Sequence, residues 1–125
     1  MRARTLGAAL VGICLLLVAA GCYVGPNEPP TAHLTASWST AHGFPIEVTL
    51  SACRSTDPDG WIRVFRWDFG DQTGGDGPCV VNHTYHEPGR YTIGLLVVDN
   101  RGDVDFVQMW LMLPGPGEPM DRRST

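Results

Sequence analysis

Lysine is absent from this 125-residue chain, so all nine basic residues are arginine, set against 13 acidic residues. Nucleic-acid binding rests on neutralising phosphates with Lys and Arg, so this balance argues against a nucleic-acid partner. It argues equally against a polybasic hold on anionic lipid. A hydrophobic run long enough to span a bilayer as a helix, roughly 20 residues, is also missing. The uncharged run rich in Leu, Val and Ala, residues 5–21, falls short of it. No Gly-x-Ser-x-Gly elbow occurs, and no acidic pair stands in a recognisable catalytic context, which removes the sequence signs of a hydrolase. Beyond the N-terminal region there is no convincing amphipathic helix period. The length allows about one domain.

What is present at the N-terminus sets the compartment. Arg2 and Arg4 open the chain, and the uncharged stretch that follows is rich in Leu, Val and Ala. A basic start, a short apolar run and small residues before a break have the form of an export signal. Its end, Val18-Ala19-Ala20-Gly21-Cys22, resembles the lipobox of bacterial lipoproteins. In that motif a Cys follows small residues and becomes the lipidated first residue of the mature chain. Ala19 stands where Leu is usual. The resemblance implies a lipid anchor on Cys22 with several acyl chains. At roughly 0.8 kcal/mol per buried methylene, more than one chain holds a protein stably on a membrane. The next residue is Tyr23, not the Asp associated with inner-membrane retention in enterobacteria, which favours the outer membrane where there is one. An ordinary secretory signal before an incidental Cys is the competing reading. Without Arg2 and Arg4 the mature chain has 7 basic against 13 acidic residues, a net charge of −6 with His neutral.

Four Cys are present. Cys14 lies in the discarded apolar run, and Cys22 is taken by lipid. Cys53 and Cys79 remain, one pair in an exported domain, which reads as a disulfide. Two free buried thiols are the alternative. The loop of about 26 residues makes such a bond worth roughly 3–4 kcal/mol, large beside the stability of a small domain.

Strand periodicity fills the middle of the chain. Leu34, Ala36 and Trp38 alternate with polar positions, as do Ile46, Val48 and Leu50. Phe65, Trp67 and Phe69 follow, then Val81, His83 and Tyr85, then Tyr91, Ile93, Leu95 and Val97. Residues 106–113 are apolar on both faces, so that strand is either covered on both sides or exposes one face to a partner. Short alternating runs punctuated by Gly, Pro and Asp predict an all-β sandwich of six to seven strands. Residues 23–30 are Pro-rich and read as a short linker of limited reach. Residues 114–125 begin with a Pro-Gly run that continues neither strand nor helix, and read as a disordered tail.

Several stretches recur together: Ser55-Thr56-Asp57-Pro58-Asp59-Gly60, Trp67-Asp68-Phe69-Gly70-Asp71, His83-Thr84-Tyr85, Pro88-Gly89-Arg90-Tyr91 and Val98-Asp99-Asn100-Arg101-Gly102. In this order they resemble the PKD (polycystic kidney disease) domain, over about residues 28–113. The resemblance implies an immunoglobulin-like β-sandwich. It also implies an extracellular module for protein–protein or protein–carbohydrate contact, or a spacer between other domains. Two departures stand out. Gln72 replaces the last Gly of the usual Trp-Asp-Phe-Gly-Asp-Gly run, which implies a rearranged turn with Gly74, Gly75 and Gly77 supplying flexibility. Cys53 stands where Ser is usual.

Some members of that family bind calcium near the N-terminal edge of the domain. Asn27, Asp57, Asp68 and Asp99 are the positions to consider here, because Ca²⁺ takes several hard oxygens. An EF-hand is excluded, since Trp61 and not a ligand stands at the fifth position of a loop starting at Asp57. The competing reading has these Asp residues capping turns. His83 and His86 are three apart and would face opposite sides of a strand, poorly placed to share a metal. Trp61 directly follows the Asp57-Pro58-Asp59-Gly60 turn. It is either an exposed platform for sugar or a protein partner, or it folds back over the sheet edge.

The expected organisation is an export signal (residues 1–21), a lipidated Cys22 with linker (22–30), a PKD-like sandwich (31–113) and a tail (114–125). The expected role is a non-enzymatic module, lipid-anchored in the bacterial cell envelope, that contacts an unidentified envelope protein. The alternative is an accessory glycan-binding lipoprotein presenting polysaccharide through Trp61. No cofactor is expected beyond the calcium just considered.

Overall fold

Period-two alternation becomes seven strands in the computed structural model, which describes residues 25–117. The expected export signal with Cys14, the lipidated Cys22, Tyr23, and the tail from residue 118 lie outside the described residues. The strands are β1 (Thr35–Trp38), β2 (Ile46–Ser51), β3 (Ile62–Asp68), β4 (Gly74–Gly77), β5 (Val80–Tyr85), β6 (Gly89–Asp99) and β7 (Val104–Leu113). They form two antiparallel sheets, β1-β2-β5 and β4-β3-β6-β7. No helix occurs among the described residues. This is the predicted all-β immunoglobulin-like sandwich.

Alternation decides what goes inside. Ile46, Val48 and Leu50 of β2 face Ile93, Leu95 and Val97 of β6, all buried. Ala52, Trp67, Tyr85, Leu111 and Leu113 complete the core. Burying the larger of these side chains is worth roughly 1.5–3 kcal/mol each, so these positions carry the fold. The polar tips within the core are satisfied: Trp67 Nε1 donates to the Pro78 carbonyl at 3.2 Å, and Tyr85 Oη donates to that of Phe69 at 2.7 Å. One feature breaks the alternation. The β3–β6 register shifts between Ile62 and Val64. The extra residue inverts the phase of β3, so Ile62 and Phe65, three apart, both pack against the core.

Cys53 and Cys79 are bonded as expected, with Cα atoms 4.9 Å apart. The bond ties the end of β2 to the start of β5, beside the Ala52 N–H, which donates to the Cys79 carbonyl at 2.7 Å.

The turn after β3 differs from expectation. Gln72 itself takes the left-handed conformation, with φ 70°. An L-residue there costs roughly 1–2 kcal/mol, which glycine would avoid. The Asp71 carboxylate holds the turn, accepting the Thr73 N–H at 3.1 Å. Gly74, Gly75 and Gly77 do not loosen it, because they belong to β4, paired with Asp68, Trp67 and Phe65. At Gly74 a Cβ would collide with the Trp67 carbonyl, so strand pairing requires glycine there.

Candidate functional site

β6 ends in Asp99, the one charged side chain buried completely among the described residues. Its Oδ1 accepts the backbone N–H groups of Arg101 (2.8 Å), Gly102 (2.7 Å) and Asp103 (2.9 Å), while Oδ2 accepts from Asn27 Nδ2 at 2.6 Å. Burial pushes the Asp99 pKa up, but the Asn27 amide and the three backbone donors together outweigh it and hold it below the usual 3.8.

Asp57, in the loop between β2 and β3, is the opposite case. Both of its carboxylate oxygens are buried without a hydrogen-bond partner. Burial first, then the negative charges of Asp59 and Asp99, raise its pKa. Asp59 is compensated: Oδ2 accepts from Arg101 Nη1 at 3.1 Å and from the Glu28 N–H at 3.2 Å. Arg101 also reaches the Gly25 carbonyl at 3.3 Å and Asn27 Oδ1 at 3.4 Å. The Pro-rich stretch expected as a short linker is therefore docked from Gly25 onward, and the folded unit starts before residue 31.

Of the four residues considered for calcium, Asn27, Asp57 and Asp99 gather at this end. Asp68 does not. Ile62 of β3 pairs with Asp99, whereas Asp68 pairs with Gly94 at the other end of the strand, roughly 20 Å away. Its Oδ1 accepts the Gly70 N–H at 2.9 Å, a turn cap. Two carboxylates and an amide supply oxygen donors of the kind Ca²⁺ takes, and the orphaned Asp57 oxygens fit a cation. Among the described residues no three His, Cys, Asp or Glu side chains are grouped to hold a metal ion, so any such ion depends on the Asn27 oxygen as well and would have to displace Arg101 from it.

Arg101 and Asn100 escaped the sequence argument as parts of this site. Arg101 is the one cation in its turn, and that was the only available signal. Asn100 clamps Trp61: the Trp61 N–H donates to Asn100 Oδ1 at 3.1 Å, and the Asn100 N–H donates to the Trp61 carbonyl at 3.0 Å. With its backbone fixed this way, Trp61 is 64% exposed and does not fold back over the sheet edge.

The opposite end of the sandwich is a structural network. His83 Nε2 meets Asp71 Oδ2 at 2.7 Å, and its ring stacks on Phe69 with centroids 4.0 Å apart. The Asp71 pKa is lowered: burial opposes the shift, but hydrogen bonds from Thr73 and His83 outweigh it. Asp68 and Asp71 are both committed to turn hydrogen bonds, so neither is set up as an acid–base pair. His86 is exposed and makes no shared site with His83.

The strand apolar on both faces resolves to one buried and one open face. Leu111 and Leu113 point inward, while Val104, Phe106, Trp110 and Met112 are exposed, Trp110 at 70%. The Arg90 guanidinium lies 3.6 Å over the Trp110 ring. Beside them an open groove of about 470 Å³ is lined by Arg66, Asp68, Gln72, Gly94 and Phe106, among others.

Comparison with known proteins agrees with this geometry. Over 59 residues, 47% of the chain, it is 34% identical to Collagenase ColA of Clostridium perfringens. The match spans only 5% of that protein's length. The PKD1 domain of Vibrio anguillarum Epp superposes with a TM-score of 0.63 at 23% identity, covering 73% of this chain and all of that one. A structure described as explaining the promiscuous specificity of carbohydrate-binding modules from the β-sandwich superfamily superposes with a TM-score of 0.67 at 27% identity. It covers 78% of this chain and 39% of that one. The family description "PKD domain" matches residues 27–109, and the chain belongs to the PKD domain family.

Proposed function

We propose that this protein is a non-catalytic PKD module, held on the bacterial cell envelope by lipid on Cys22 and presenting its sandwich to an envelope protein. The observation that carries this is the docking of the N-terminal segment. Gly25 is already fixed by Arg101, so residues 22–24 alone separate the anchor from the folded domain, a reach of about 10 Å. An anchor this short holds the acidic end against the membrane surface and directs the long strands outward. Cys22→Ser should move the protein from the membrane to the soluble fraction, while crosslinking on intact cells should join the wild type to an envelope protein. A Cys22→Ser variant that stays with the membrane would sink the anchor.

A second reading, glycan binding through Trp61, is favoured by the exposure of that side chain and by the likeness to a carbohydrate-binding structure. A polysaccharide pull-down separates the two. Binding lost in Trp61→Ala supports the glycan reading, and no binding by the wild type removes it.

Calcium belongs to the proposal as a structural ion at Asn27, Asp57 and Asp99. An ion that binds only the folded state at about 100 times its Kd stabilises by about 2.7 kcal/mol, or about 10–20 °C in a domain this size. Calcium should therefore raise the melting temperature and chelator should reverse the rise. Asp57→Asn removes the uncompensated charge, so it should stabilise the chelated protein and abolish the calcium response. A wild-type melt indifferent to calcium would exclude the ion.

A further inference from the structure

β7 stands at the edge of its sheet, paired with β6 on one side only. Its ladder with β6 runs unbroken for ten residue pairs, from Gly89↔Leu113 to Val98↔Val104. Protein sheets usually guard such an edge with Lys, Pro, a bulge or a charge. β7 carries no Lys, Pro or bulge, and its single charge, Asp105, accepts the Ala32 N–H at 2.7 Å. Among the described residues this edge is ten residues long, free of bulges and not paired by another strand.

The outward face of that strand says which strand it would accept. In order it presents Val104, Phe106, Gln108, Trp110 and Met112, all exposed. The pattern is palindromic: apolar, aromatic, amide, aromatic, apolar. We propose that β7 pairs antiparallel with β7 of a second copy about a two-fold axis at Gln108, joining two four-stranded sheets into one. In this register Phe106 lies opposite Trp110 of the partner subunit, Val104 opposite Met112 of the partner subunit, and Gln108 opposite Gln108 of the partner subunit. Aromatic and apolar cross-strand pairs are the stabilising unit of a sheet, and a two-fold axis makes each pair occur twice. Sliding the partner by one residue sets outward side chains against inward ones. Moving the axis to Met109 sets Trp110 against Gln108 and Val104 against Pro114. The Gln108 register alone matches every position of the face. Arg90 already occupies one face of the Trp110 indole, so half of the surface on which a sugar would stack is taken. The pairing is independent of the Cys22 anchor and of Trp61.

Sedimentation equilibrium on the full chain carrying Cys22→Ser tests the pairing in solution. The expected result is a reversible dimer, populated at a protein concentration of about 100 μM, a free-energy range between millimolar and micromolar binding or tighter. Phe106→Glu and Trp110→Arg should each weaken dimerisation at least tenfold and keep the monomer melt, because both side chains are exposed. The double variant places Glu opposite Arg twice across the axis and should recover the dimer. Gln108→Cys should oxidise to a covalent dimer, and Val104→Cys should not. A wild type that stays monomeric at about 100 μM overturns the proposal, as does a double variant that remains monomeric. Polysaccharide that quenches Trp110 fluorescence in a monomeric protein would instead assign the face to glycan and overturn it as well.

Discussion

Replacing Asp99 with Ala should lower the melting temperature by about 10–20 °C, more than any other polar substitution in the domain. The carboxylate is buried and accepts three backbone N–H groups with one oxygen and the Asn27 amide with the other. Alanine leaves those donors without partners. A buried unsatisfied donor costs about 1–3 kcal/mol, and each kcal/mol moves the midpoint of a domain this size by about 4–8 °C. Some donors will recover water through the opened turn, which is why the expected shift is below the full sum. Asp99→Asn keeps one acceptor oxygen and should recover most of the loss, which separates hydrogen bonding from charge. Loss of the Asn27 contact also frees the N-terminal segment, so limited proteolysis near residue 27 should accelerate in Asp99→Ala, and in Asp99→Asn as well, where an amide donor would face the Asn27 Nδ2 donor.

The same carboxylate gives the stability a pH dependence of known sign. The Asp99 pKa lies below 3.8 in the folded state, and those of Asp71 and Asp76 are lowered too. A depressed carboxylate pKa contributes stability that is present above the unfolded value and lost as pH falls through the folded one. The domain should therefore hold its midpoint from neutrality down to about pH 4 and lose it below. Asp57 acts in the opposite sense, since its pKa is raised and its ionisation disfavours the fold. Asp57→Asn should therefore steepen the acid loss. A melting temperature that climbs between pH 4 and pH 2 in the wild type would contradict this assignment.

Removing the Cys53–Cys79 bond by the paired substitution Cys53→Ser and Cys79→Ser should cost about 3–4 kcal/mol. The sulfurs bridge residues 26 apart, and the bond acts chiefly by restricting the unfolded chain. Neither cysteine belongs to the buried core, so serine leaves little cavity and the loop term dominates. In urea the midpoint should fall and the slope should rise, because the released chain exposes more surface on unfolding. Reduction of the wild type should reproduce both changes. A reduced protein with an unchanged midpoint would show that the bond contributes nothing to stability.

Much of the sandwich is written in the residue pattern itself. Ile46-Val48-Leu50 and Ile93-Leu95-Val97 alternate cleanly, and each set became one wall of the core, since period two leaves no other face for them. Cys53 and Cys79 were the one pair left once Cys14 and Cys22 were assigned. The misreadings share a cause: they depend on where the chain returns in space. The bulge at Ile62–Val64 is a single-residue shift against β6 and leaves no mark in the pattern. Gln72 reads as an obstacle to the turn until its backbone is seen to adopt φ 70°. On sequence Asp57 and Asp68 group as positions for one calcium ion, yet β3 carries them to opposite ends of the domain. The Gly25 segment reads as linker because the contacts that dock it, with Asp59, Asp99 and Arg101, lie far along the chain.

Strand pattern, turn chemistry and cysteine count determined the fold class and the disulfide, because those signals are local or reduce to counting. That Asp68 stands apart from Asn27, Asp57 and Asp99, and that Arg101 reaches Asn27 and Asp59, was decided only by tertiary structure, because long-range charge pairing depends on which turns share an end. The palindrome Val104-Phe106-Gln108-Trp110-Met112 is plain in the sequence. That it lies on a sheet edge, the premise of the proposed self-pairing, was decided by β6 covering one side of β7 and no strand among the described residues covering the other.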